Sequence, residues 1–106
     1  MKIEIYTQNP TSLSARIFEK AENGDLRTWN IRKSKNGEQF LTHASQWKDA
    51  ALIQLIPNGG NLTVTICWWE NSEPEDYTKC IYLGRFSEAL LNHFNGYFTS
   101  FETFYK

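Results

Sequence analysis

Cys67 and Cys80, His43 and His93, and the carboxylates Glu70, Glu73, Glu75 and Asp76 are the residues whose types could do redox, metal or acid–base chemistry. Both cysteines fall in "TICWWENSEPEDYTKC", with Trp68, Trp69 and the acidic cluster. No C-x₂-C or H-x₃-H spacing joins the cysteines to the histidines, so a tetrahedral zinc cage has no framework. The acidic residues lack the alternating ligand spacing of a calcium loop, and Pro74 marks a turn there. No serine sits in a nucleophile-elbow or Ser-x-x-Lys context. The sequence therefore predicts no catalytic residue, no metal, no cofactor and two free thiols.

What remains are side chains suited to binding. His43 and Trp47 lie four apart in "THASQW", near Arg32 and Asn30 of a hairpin. Gly84-Arg85 is read as the start of the last helix, where free N–H groups beside an Arg could hold a carboxylate or phosphate. His93 follows on the apolar side of that helix. His43, Trp47, Arg85 and His93 are thus the candidate ligand-binding set. The plainer reading is an edge-packed His43, a Trp47 covering the core, a boundary His93, and an Arg85 paired with Glu88 or Asp49. A second set, Trp69, Tyr82, Thr65 and Thr78, is assigned to a sheet's outer face. Aromatic enrichment with few charges there marks a contact surface.

These side chains need elements to position them. Ile3 and Ile5 alternate with polar neighbours, giving a first strand. Asn9 can cap a helix that opens on Pro10, with Leu13, Ile17, Phe18 and Ala21 on one face, and Gly24 ends it. Strands follow at 26–33 and 38–43. A type I′ turn at Asn36-Gly37 pairs Lys35 with Glu38, puts Trp29, Ile31, Phe40 and Thr42 on one face and turns His43 to the other. "AALIQLIP" and "LTVTICWWE" form a hairpin through "NGGN", with Ala51, Ile53, Leu55, Val64, Ile66 and Trp68 together. Tyr77–Leu83 is read as the next strand, with Cys80 opposite Cys67, and Gly84 as its break. Phe86, Ala89, Leu90, His93, Phe94, Tyr97, Phe98 and Phe101 then recur at helical spacing. The order predicts one α+β domain over 1–106. It is a two-layer sandwich with a mainly antiparallel sheet of five to six strands and two helices on one face.

Eleven basic residues against twelve acidic ones, with a net charge of -1 and no basic stripe, argue against nucleic-acid binding. No apolar run is long enough for a membrane span, and "MKIEIYTQNP" lacks the apolar core of a signal peptide, so a cytoplasmic location is expected.

Thr42, His43, Gln46 and Trp47, with Gly84, Arg85, Phe86, Leu90, Leu91, His93 and Phe94, carry a resemblance. The chain resembles small uncharacterised bacterial proteins in which a T-H-x-x-x-Q-W segment precedes a strand and a G-R-F segment opens the final helix. That set implies a fold unit and no reaction; an accessory or mobile-element role is an analogy. Two functional readings follow. One is a non-enzymatic interaction module that forms a homodimer or docks a protein partner through the aromatic sheet face. The other is a small-ligand-binding protein or enzyme with a pocket near His43, Trp47, Arg85 and His93. A pocket uniting those residues favours the second, and a flat exposed aromatic patch the first.

Overall fold

The computed structural model describes residues 1–44 and 49–105. The elements are β1 (Lys2–Tyr6), α1 (Pro10–Glu22), β2 (Trp29–Lys33), β3 (Gln39–His43), β4 (Leu52–Asn58), β5 (Asn61–Cys67), α2 (Asp76–His93) and β6 (Ser100–Phe104). The strands form one antiparallel sheet in the order β2-β3-β4-β5-β1-β6. Both helices pack on one face of it, as an α+β fold with this composition predicts.

Local chemistry accounts for α1. The Asn9 side chain accepts the Ser12 N–H at 3.0 Å, and Pro10 occupies the first turn, where its missing N–H is no loss. Leu13, Ile17 and Ala21 form the buried stripe, and Gly24 leaves the helix at φ +82°. The β4–β5 hairpin has the expected face. Ile53 opposes Ile66, Leu55 opposes Val64, and Gly59-Gly60 makes the two-residue turn.

Two expectations are corrected. The β2–β3 hairpin closes through three residues, not two. The Ser34 N–H donates to the Glu38 carbonyl, the Gly37 N–H to the Ser34 carbonyl, and Gly37 takes φ +83°. This moves the register by one, and a one-residue slip exchanges faces. Trp29 therefore opposes His43, so both face the helices, while Phe40 and Thr42 go to the other side.

The second correction concerns Tyr77–Leu83, which is the first half of α2 and not a strand. Tyr82, Leu83, Phe86, Ala89 and Leu90 are its buried stripe. Gly84 lies on the exposed side, where a glycine costs roughly 1 kcal/mol relative to Ala without ending the helix. Helix α2 stops at Phe94, and the segment expected to extend it forms edge strand β6, in which Phe101 opposes Ile5.

The core lies between sheet and helices. Ile3, Ile5, Leu41, Ile53, Leu62 and Val64 meet Leu13 and Ile17 of α1 and Tyr82, Phe86 and Leu90 of α2. At its centre Trp29 makes edge-on contacts with Tyr82 (5.7 Å) and Phe86 (5.6 Å).

Candidate functional site

The three-residue β2–β3 loop is what brings His43 to the helix side of the sheet. There its ring stands edge-on to Trp29, 5.4 Å between centroids, and tilts against Tyr82 at 6.2 Å. The Tyr82 hydroxyl lies 3.1 Å from the Thr42 hydroxyl and accepts the His43 backbone N–H at 3.3 Å. Thr42 also bonds the Ala51 carbonyl and accepts the Asp49 N–H, which ties β3 to the start of β4 beyond their paired residues Leu41 and Ile53. His43 is held firmly from both sides and is only 6% exposed.

Between this corner and α2 runs a cleft of about 500 Å³. Trp29 and His43 line it from the sheet. The turn after α1 contributes Asp25, Leu26, Arg27 and Thr28, and α2 contributes Arg85, Glu88, Ala89, Asn92 and His93. The α2 positions 85, 88, 89, 92 and 93 recur at helical spacing, so one face supplies them all. Two backbone bonds fix the turn: Trp29 N–H to the Leu26 carbonyl and Ala44 N–H to the Thr28 carbonyl.

Burial lowers the His43 pKa, and the nearby Arg85 charge lowers it further, so the imidazole is neutral at physiological pH. Arg85 and Glu88 pair at 2.8 Å on the exposed rim, an arrangement worth about 0–1 kcal/mol and easily rearranged. His93 is exposed and rests against Phe94.

The structure thus brings together His43, Arg85 and His93; Trp47 lies outside the described residues. Arg85 arrives by a different route from the one expected. It sits in the middle of α2, where backbone N–H groups are already bonded, so no helix-end anion site exists beside it. Asp25, Arg27 and Asn92 were not singled out from the sequence. The available signal was the Gly24 helix stop, because a short turn leading into a core strand presents its polar residues at the sheet's end.

The proposed interface set does not assemble. Tyr82 is fully buried in α2 and Thr78 lies in the first turn of the same helix. Trp69 follows β5, packs edge-on against Phe40 at 5.8 Å and remains 38% exposed. Thr65 is on β5, where its hydroxyl is 3.4 Å from the Gln54 side-chain oxygen. The C-terminal "SFETF" extends the sheet as β6. Much of the open face is a polar ladder instead of an aromatic patch. Glu4 accepts from Thr63 at 2.7 Å and from Asn61, and pairs with Lys2 at 3.1 Å. The Thr63 hydrogen bond is the largest influence lowering the Glu4 pKa.

Cys67 and Cys80 are free and do not face each other, one on β5 and the other on α2. Burial is the main cause that raises the Cys67 thiol to about 11, with Glu38 adding to it, so the thiolate is scarce at neutral pH. Among the described residues no group of three His, Cys, Asp or Glu side chains could hold a metal ion. Among the described residues no helix is long and apolar enough to cross a membrane.

No protein-family model, curated protein or solved structure matches the chain.

Proposed function

We propose that the chain is a binding protein for a small molecule carrying one anionic group, held in the cleft between β2–β3 and α2. The observation that carries this reading is the convergence of His43, Arg85, His93 and Arg27 on one cleft from three separate stretches of chain. Its volume of about 500 Å³ lies in the range of small-ligand sites, and its wall pairs an aromatic body with a few polar groups. Arg27 and Arg85 can each meet a carboxylate or phosphate with a planar fork of donors. Asp25 and Glu88 offset those charges, which favours a ligand with a single anionic group over a polyanion. Neutral His43, packed against Trp29 and Tyr82, gives the cleft a fixed aromatic wall. The arrangement supports recognition more than reaction: its rigid element is a histidine, and the charged groups sit on the rim.

The competing reading, a module that docks through an aromatic sheet face, is weakened by the burial of Tyr82 and the separation of Trp69 from Thr78.

Inorganic phosphate and a panel of small mono-carboxylates, titrated while amide and indole NMR signals are followed, test the proposal. Shifts should concentrate at Trp29, His43 and 85–93. Arg27→Ala and Arg85→Ala should each weaken them while leaving circular dichroism unchanged. No localised shift with any probe, or shifts indifferent to both substitutions, would refute it.

A further inference from the structure

The two edges of the sheet differ in how they are protected. Edge strand β2 carries Arg32 and Lys33, and charges of this kind discourage pairing with another chain. Edge strand β6, "SFETF", carries one charge, Glu102, between two phenylalanines, and among the described residues it pairs with β1 alone. Its flank is sticky: Tyr105 is 61% exposed just past the strand.

We infer that β6 is a self-association edge. Two copies pair β6 with β6 antiparallel about a two-fold axis at Thr103, joining two six-stranded sheets into one of twelve strands.

The register follows from face and charge. In a continuous antiparallel sheet, directly opposed residues share a face, so odd positions pair with odd and even with even. An axis within the strand's middle can then pass through Phe101, Glu102 or Thr103. The Glu102 axis sets a carboxylate directly against its own copy, which destabilises a strand pair. The Phe101 axis leaves Glu102 opposite Ser100 and next in line to Tyr6 and Glu4, with no cation at hand.

The Thr103 axis instead opposes Thr103 to Thr103 and Phe101 to Tyr105, and puts Glu102 across from the second copy's Phe104. Lys2 already lies over the Phe104 ring, its Nζ 5.4 Å from the centroid. Lys2 and Phe104 are paired neighbours, so each Lys2 stands two strands, about 10 Å, from the other copy's Glu102. A lysine leaning across the ring closes much of that gap. The pair is made twice by symmetry. Within one chain Glu102 opposes Glu4 and accepts from the Tyr6 hydroxyl at 3.2 Å, while Lys2 pairs with Glu4 at 3.1 Å, so the cross-copy contact adds to those bonds. On the helix side, Tyr105 of one copy joins the Phe98–Phe101 contact of the other. The two-fold pairing is isologous, so it closes at two copies and leaves β2 as the outer edge on both sides.

Sedimentation equilibrium at high micromolar concentration should find a dimer, and Thr103→Lys, which sets like charges against each other at the axis, should abolish it while leaving circular dichroism unchanged. A cross-linking scan reads the register. In a Cys67→Ser, Cys80→Ser background, Thr103→Cys should give a covalent dimer under mild oxidation, because opposed Cα atoms lie roughly 4.5–5.5 Å apart, within disulfide reach. Phe101→Cys and Glu102→Cys should cross-link poorly. A wild-type chain that stays monomeric overturns the proposal. So does a dimer that survives Thr103→Lys, or one that cross-links best through the other two positions.

Discussion

The two faces of the sheet use the same residue types to opposite ends. On the helix-covered face Trp29, Tyr82 and Phe86 pack edge-on, and the one polar ring among them, His43, is desolvated. On the open face Trp69 leans on Phe40 while partly solvated, and threonines, asparagine and Glu4 bond one another. The first face is held by packing, with hydrogen bonds used to fix a few polar atoms. The second is a lattice of hydrogen bonds along β1 and β5, and toward β3 it buries Phe40 and Thr42. An aromatic residue's contribution is therefore set by its face more than by its type.

The sharpest test is truncation of matched aromatics. Phe86→Ala should cost about 3–5 kcal/mol, because it empties a fully buried site beside Trp29. Trp69→Ala should cost much less, since the side chain is 38% exposed. Urea midpoints compare the two directly, and equal losses would erase the distinction between the faces. Next in size, Leu90→Ala should cost about 2–5 kcal/mol by opening a cavity at the centre of the α2–sheet contact.

Tyr82→Phe is smaller and more specific. It removes a hydroxyl shared with Thr42 and the His43 N–H and should cost about 1–3 kcal/mol, because these groups are buried. In addition, the His43 ring signals should shift. A neutral result would mean that the hydroxyl does not organise the cleft corner.

The smallest effects are in pH. His43 has a lowered pKa, so the unfolded chain takes up its proton first as pH falls. Stability is complete above the unfolded value of about 6.5 and declines as pH drops from there through the folded value. Glu4 is also lowered, so its contribution is present above the unfolded carboxylate value of about 4.3 and is lost below it. His43→Gln should flatten the first slope and Glu4→Gln the second, read from urea midpoints across pH. If His43→Gln leaves the slope near neutrality unchanged, the histidine is not desolvated as described.

Much of the architecture was legible because local chemistry alone specifies it. The Asn9 cap, the Pro10 start, the Gly24 exit and the Ile53–Ile66 face each rest on neighbours in sequence or on a tight turn. Of the cleft, His43, Arg85 and His93 were legible by residue, but not by geometry, and Asp25, Arg27 and Asn92 were missed. His43 was expected on the face opposite Trp29, and Arg85 at a helix end. They meet because the three-residue loop turns His43 to the helix side and α2, which begins at Asp76, carries Arg85 past it.

The sequence by itself determined the class of the fold, the amphipathic stripe of α1, the β4–β5 register and the lack of metal-site spacing. Only the tertiary structure decided α2, the β2–β3 register and β6. "CIYLG" satisfies a strand and a helix equally in isolation, and "KNG" closes a two-residue or a three-residue loop. In each case the choice is made by where Trp29, Tyr82 and Phe86 can pack against one another, a long-range burial term that no local window contains.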